Sequence, residues 1–266
     1  MLCRVSAARA GIEISTLDPP SCGGTDLGSS DPSELLDLLR PDAVVNAAAL
    51  SSASACRTTP ESAVRINCRW PRNLARACAH RNIPLVHVST DLVYSGGNPP
   101  YSESSPAVPL SLYGWTKLLG DRAVLAEHPG AAVVRTSVLF GRACAKRPTF
   151  SEEILAGLVE EVHTDSFRNH TPIHWFGGVI LDLLTQRASG LVILAAAWSQ
   201  SRSAFAEALL EHAGITDLPR LGRRPSGIPC DLTLDPSHAG IRWGIPLPDL
   251  HASIAMEHPR YQVKET

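Results

Sequence analysis

The sequence predicts an α/β chain: a doubly wound, mostly parallel sheet over the first part and a smaller lobe over the rest. Three observations carry this. Short apolar runs rich in Val, Ile and Ala alternate with segments of helical spacing, and such alternation implies β-α-β units. Two of the runs turn polar at their ends, one at Asn46 and the other at Ser89, Thr90 and Asp91. On open parallel sheets ligands bind beyond the carboxyl ends of the strands, so both segments point into one crevice. After Phe140 the alternation loosens. The expected division is a nucleotide-binding part over residues 1–140 and a smaller substrate lobe over residues 141–266.

Taken in order, residues 12–17 read as a strand. Asp31 then caps a helix that has Pro32 in its first turn and apolar residues at helical spacing. Residues 43–48 form the next strand, followed by a helical region to about Ala79 in which Pro71 opens a new segment. A strand is expected over 83–88, a helix over 113–126 and a strand over 131–136. Beyond Phe140, helices are expected over 152–161, 176–184 and 202–212, a strand over 190–195 and a looser Pro- and Gly-containing connection over 219–236. Alanines after Asn46 would let a flat ligand approach the backbone.

Composition excludes several classes. The 24 basic and 26 acidic residues nearly cancel, and no basic block suggests nucleic acid. The longest apolar runs, 43–50 and 191–198, are far too short to cross a bilayer. Residues 1–10 lack a signal-peptide apolar core, so a cytoplasmic protein is expected. Seven cysteines, with no Cys-x-x-Cys pair, argue against a disulfide framework or zinc knuckle. His170 and His174 have a metal-like spacing, but Pro172 interrupts it and no metal site is expected. No Gly-x-Ser-x-Gly elbow marks a serine hydrolase.

The chemistry is expected between Ser89 and Lys117. Tyr113 and Lys117 lie four residues apart at the start of a helix, hence on one face. An ammonium beside a phenol favours the phenolate and lowers a pKa that is otherwise about 10. A phenol so tuned can exchange a proton with a carbinol oxygen, and the hydroxyl of Ser89 or Thr90 could hold that oxygen. With four tyrosines and three lysines in the chain, chance supplies such a pair at about 5%. A plain surface helix is the competing explanation, and the Ser-Thr-Asp at the preceding strand end weakens it.

Together the stretches 41–49, Ile66-Asn67, 83–94, Tyr101-Ser-Glu103, Tyr113-Gly-Trp-Thr-Lys117 and Val134-Arg-Thr-Ser137 resemble the extended short-chain dehydrogenase/reductases. They come closest to the dTDP-4-dehydrorhamnose reductase group of sugar-nucleotide enzymes. The resemblance implies a Rossmann-like fold and NADPH or NADH as hydride source, since no side chain supplies a hydride. It implies a nucleotide-linked keto sugar as substrate, and admits a homodimer. By the same resemblance Tyr113 would donate the proton to the keto oxygen. Lys117 would bind the nicotinamide ribose, and Thr90 would hydrogen-bond the reacting oxygen beside Ser89. Ala47 and Ala48 would line the cofactor, Asp26 and Leu27 would approach the adenine, and Asp91, Tyr94 and Arg168 would contact the substrate.

The chain departs from that pattern in places. Val138 follows Arg-Thr-Ser where relatives carry an aromatic, and Gly177 stands where they carry an Asp. Relatives begin with a strand and a Gly-x-x-Gly-x-x-Gly turn that seats a pyrophosphate; residues 1–10 read instead as the end of the helix that follows such a turn. The first strand is therefore expected to be missing, and weak or absent NAD(P)H binding by the chain as it stands is the corresponding expectation. Two other activities stay open on the same scaffold. One is a non-catalytic protein like the regulatory subunit of methionine adenosyltransferase, and the other a sugar-nucleotide epimerase or dehydratase.

Overall fold

The computed structural model describes residues 12–16, 27, 29–142, 148–225, 228 and 230–259. The chain divides into two units. The first comprises Met1–Ser95, Ser105–Arg135 and Gly178–Val192; the second comprises Gly96–Ser104, Thr136–Gly177 and Ile193–Thr266. These units are discontinuous in sequence, because a late strand returns to complete the first unit's sheet.

That unit opens with α1, Pro32–Leu39, where the Asp31 carboxylate accepts from the Ser33 N–H at 2.8 Å. β1, Val44–Asn46, follows. The expected helical region to Ala79 is broken into α2, Ala53–Thr58, α3, Pro60–Val64, a π-helical turn at Arg65–Arg69, and α4, Trp70–His80, with Pro71 in its first turn. β2, Leu85–Thr90, runs into a short 3₁₀ turn at Asp91–Val93. α5, Leu112–Glu127, starts at Ser111, whose hydroxyl accepts from the Gly114 N–H at 3.1 Å. β3 is Ala132–Thr136.

The remaining elements are shorter. β4, Leu139–Phe140, precedes α6, Phe150–Leu155, β5, Glu161–His163, β6, Phe167–Arg168, and β7, Thr171–Pro172. α7, Ile173–Thr185, leads to β8, Gly190–Ile193, and β9, Gln200–Ser201. α8, Arg202–Ala213, β10, Arg220–Gly222, α9, Ser237–Trp243, and α10, Leu250–Glu257, complete the order.

The central sheet has the order β1-β2-β3-β8. β1 and β2 are parallel with Asn46 opposite His87, so their carboxyl ends share one edge. Beneath the sheet, Leu36, Trp70, Leu74, Ala75, Cys78, Leu85, Val124 and Val133 form the core, with Leu27 packed against it. The second unit pairs β4 with β7, β5 with β10 and β6 with β9 in separate two-stranded sheets. Its core gathers Phe140, Val162, Phe205, Leu209, Leu210 and Ile254.

Three expectations are corrected. The strand over residues 12–17 does not form at 12–16, which are exposed and carry no ladder; Leu17 lies outside the described residues. An extended segment without a hydrogen-bonding neighbour gains nothing from being a strand, and among the described residues β1 pairs only with β2. The helix over 152–161 ends at Leu155, because Gly157 turns the chain at φ 67°, and the residues beyond it supply β5. The connection over 219–236 contains β10.

One packing contact gives a test. A Cβ built at Gly120 on α5 would overlap the backbone carbonyl of Asn67 in the π-helical turn, and backbone cannot swing aside as a flexible side chain can. Gly120→Ala gains about 1 kcal/mol of helix propensity but overpacks at a cost of about 1–3 kcal/mol or more. A net loss of stability in urea denaturation is expected, where an exposed helical glycine would show a gain.

Candidate active site

The site is built at the carboxyl ends of β1 and β2 and on the first two turns of α5. β1 ends in Asn46, followed by half-buried Ala47 and Ala48. The Asn46 amide is buried; its Oδ1 accepts from the Ala48 N–H at 3.3 Å, and its Nδ2 lies 3.0 Å from His87 Nδ1. β2 ends in Ser89 and Thr90, both buried. Thr90 Oγ1 accepts from the Leu92 N–H at 3.2 Å and lies 3.3 Å from Asp91 Oδ1. Ser89 Oγ is buried with no hydrogen-bond partner among the described residues. An unpaired buried hydroxyl is costly.

α5 is tied to this edge by Asn67. Its Oδ1 accepts from the Leu50 N–H at 2.8 Å, and its Nδ2 donates to the Leu50 carbonyl at 3.1 Å and to Thr116 Oγ1 at 3.0 Å. Thr116 Oγ1 donates to the Tyr113 carbonyl at 2.9 Å. Asn67 lies in the π-helical turn, a distortion that often marks functional positions. It fixes the first turn of α5, and with it Tyr113, against the loop after β1.

The Tyr113 phenol lies beside the Thr90 side chain. Burial pushes the Tyr113 phenol above its usual range, the Asp91 carboxylate adds to this, and the Thr90 contact opposes both. Lys117 is wholly buried. Its Nζ donates to the Val88 carbonyl at 2.7 Å and lies 3.3 Å from His87 Nε2. Burial lowers Lys117 to about 8, with Asp121 pulling the other way. The expected lowering of the Tyr113 pKa by Lys117 is therefore corrected. The amine is turned towards Val88 and His87, while burial and the nearby Asp91 carboxylate act on the phenol, so the phenol stays protonated at neutral pH.

The other residues expected at the site fall in different places. Asp26 lies outside the described residues. Leu27 is taken up in core packing. Tyr94 is fully buried; its hydroxyl accepts from Arg135 Nη1 at 3.0 Å, and the guanidinium carbon stands 5.3 Å from its ring centre. Tyr94 is thus a buried buttress of the first unit rather than an open substrate contact. Asp91 is buried beside Thr90. Arg168 belongs to the second unit, where it is buried and its Nη1 donates to the Phe167 carbonyl at 2.8 Å.

His87 was not singled out from the sequence. The available signal was a histidine inside an otherwise apolar run. Asp121 and Arg135 pair at 3.1 Å under the same edge. Among the described residues no group of three or more His, Cys, Asp or Glu could hold a metal ion, and no helix is long and apolar enough to cross a membrane.

The sequence pattern described as the RmlD substrate binding domain matches residues 4–232. A probable low-salt glycan biosynthesis reductase of Haloferax volcanii is 30% identical over 212 residues, covering 72% of this chain and 70% of that protein. Methionine adenosyltransferase 2 subunit beta of Xenopus tropicalis is 41% identical over 107 residues, covering 40% of this chain and 32% of that protein. Among solved structures, dTDP-4-dehydrorhamnose reductase of Bacillus anthracis in complex with NADP superposes with a TM-score of 0.81 at 21% identity, covering 88% of this chain and 85% of that one. At that identity the likeness speaks for the fold: an α/β chain with a parallel central sheet.

Proposed function

The chain belongs to the RmlD substrate binding domain family, and from that premise we propose that it is an NAD(P)H-dependent reductase of a nucleotide-linked keto sugar, of the dTDP-4-dehydrorhamnose kind. The observation that carries the reading is a protonated phenol, Tyr113, beside Thr90 at a strand end, with the buried amine of Lys117 one turn further along the helix.

The fit to a nicotinamide cofactor rests on the strand edge. Ala47 and Ala48 present only methyl groups there, and the unpaired Ser89 hydroxyl awaits a polar partner. Lys117 and Ser89 would hold the ribose, Ala47 and Ala48 would line the flat ring, and Asp26 and Leu27 are assigned to the adenine end. When bound, the cofactor supplies the hydride. The protein's own part is proton delivery and placement. Thr90 fixes the keto oxygen next to Tyr113, and Tyr113 protonates that oxygen as negative charge develops on it. Lys117, turned towards Val88 and His87, holds a fixed positive charge one helical turn from Tyr113. Asp91 and, from residues 141–266, Arg168 are proposed to contact the sugar nucleotide. Residues 1–140 are proposed as the cofactor-binding part, the setting as cytoplasmic and the assembly as a homodimer.

The similarity to the methionine adenosyltransferase subunit keeps a second reading in view, a regulatory protein that binds the same cofactor without turning it over. The two separate in one experiment. Reduced cofactor is mixed with dTDP-4-dehydrorhamnose, and loss of the reduced nicotinamide absorbance is followed alongside product formation. Stoichiometric oxidation and product are expected. Binding of both ligands without oxidation would leave only the regulatory reading.

A further inference from the structure

The sequence sets His170 and His174 at a metal-like spacing, and the structure parts them. His174 turns to Glu257: its Nδ1 lies 2.6 Å from Glu257 Oε2, and its backbone N–H donates to Oε1 at 2.8 Å. His170 is wholly buried in the second unit, and neither ring nitrogen has a hydrogen-bond partner among the described residues. The ring lies flat on Phe205, with centroids 4.1 Å apart and planes 1° from parallel. Its nitrogens therefore point along the Phe205 face and not into it, so that face cannot stand in as an acceptor. Phe205 is itself held edge-on by Phe140 at 5.1 Å, and packing thus fixes the plane of the imidazole. The Arg168 carbonyl stands near the ring without reaching hydrogen-bond geometry. Buried polar atoms left without partners are costly, and a ring that only packed would cost less as phenylalanine.

The surroundings are rich in donors and positive charge. Arg168 of β6 is buried and lies opposite Gln200 of β9 in an antiparallel pair, so the two side chains rise on one side. Gln200 Nε2 is buried with no hydrogen-bond partner among the described residues. Arg202 opens α8; its backbone N–H donates to the Ser166 carbonyl at 3.0 Å, and Arg224 Nη1 donates to the Ser166 hydroxyl at 3.0 Å. The charges that act on His170 are those of Arg202 and Arg168, both positive. The carboxylate of Asp165, next to Ser166, is taken up by the Arg224 backbone N–H at 2.9 Å and by Arg223 Nε at 3.3 Å.

We propose that His170 and Gln200, with Arg168 and Arg202 supplying charge, form a binding site for a phosphoryl anion, the imidazole N–H and the amide N–H donating to its oxygens. Burial, and then the charges of Arg202 and Arg168, hold the His170 pKa down to about 3. The ring is therefore neutral and brings one N–H, while the guanidinium groups bring the charge. The same two charges repel a metal ion from His170. A neutral ligand such as a sugar hydroxyl meets the same donors but gains nothing from the charge beside them. If the chain is a reductase of a nucleotide-linked sugar, on which this last step rests, the anion is the diphosphate of that substrate and His170 helps to select it. Free inorganic diphosphate presents the same chemistry.

The test is titration of the full wild-type chain with dTDP, thymidine and inorganic diphosphate, followed by calorimetry and by nitrogen NMR of His170, assigned through its contact with the Phe205 ring. dTDP should bind and shift the protonated nitrogen of His170, inorganic diphosphate should compete with it, and thymidine should leave the signal in place. His170→Phe keeps the stack and loses the donor. It should weaken dTDP binding by about tenfold or more, leave thymidine unaffected, and melt no lower than wild type without ligand, a combination that a packing role would not give. Gln200→Leu should weaken dTDP in the same direction. A His170 signal unmoved by dTDP, or shifted equally by thymidine, overturns the proposal, and the wild-type titration decides this without any variant folding. Equal dTDP affinity in wild type and both variants overturns it too, marking the ring as served by water or by the Arg168 carbonyl. A response to inorganic diphosphate but not to dTDP would keep the anion site and strike the nucleotide as its source. A chain that binds dTDP through His170 yet oxidises no cofactor would count against the reductase reading and leave this site standing.

Discussion

Tyr113→Phe is expected to lose turnover by on the order of a hundredfold or more while keeping its fold and its affinity for reduced cofactor. The substitution removes only the phenolic oxygen. The ring still fills its place at the start of α5, and Asn67 and Thr116 still hold that turn through the main chain. What disappears is the proton held next to Thr90. Because burial and Asp91 keep the phenol protonated, the loss should be seen across the whole neutral range rather than at one end of it. Single-turnover oxidation of bound cofactor reads the chemical step directly. An unchanged rate there would remove Tyr113 from the role of acid.

The second large effect is expected from Lys117→Met, and it has two parts of opposite sign. Turnover should fall by about a hundredfold or more, as for other losses of a preorganised charge. Stability should not fall with it. The wild-type amine is lowered by burial from 10.5 to about 8, so below that value the folded chain carries a buried cation at a cost. Between about 8 and 10.5 the unfolded chain binds the proton and the folded chain does not, and wild-type stability therefore rises with pH through that window. The full rise attributable to this one group is roughly 3 kcal/mol. Met is similar in length, uncharged and suited to irregular gaps, so the variant should be at least as stable near neutrality and lack this component at alkaline pH. Urea denaturation of both proteins at either end of the window isolates the difference. A variant much less stable than wild type at neutral pH would mean that the Val88 and His87 contacts outweigh the burial cost.

Much of this was legible in residue order, and the failures have physical causes. The strand-end positions of Asn46, Ser89 and Thr90 and the helix carrying Tyr113 and Lys117 followed from apolar runs ending in polar residues. The i, i+4 spacing placed Tyr113 and Lys117 on one face, but spacing does not say where an amine's three donors go. They go to Val88 and towards His87, and the expected direction of the Tyr113 shift failed for that reason. Tyr94 was a candidate site residue only through the family resemblance; packing reveals that its ring turns inward under Arg135. The π-helical turn around Asn67 has no local sequence signature, since it answers to Gly120 on another helix. The strand over 12–17 failed because a strand is a property of a pair, and its composition says nothing about whether a neighbour is present.

The most direct test of the central claim is a stopped-flow mixture of the wild-type chain, saturating NADPH and dTDP-4-dehydrorhamnose, with Tyr113→Phe in parallel. The account predicts oxidation of one NADPH per sugar reduced at the keto carbon, lost by about two orders of magnitude or more in the variant. Equal rates in the two proteins, or no oxidation while both ligands are demonstrably bound to the wild-type chain, would contradict it.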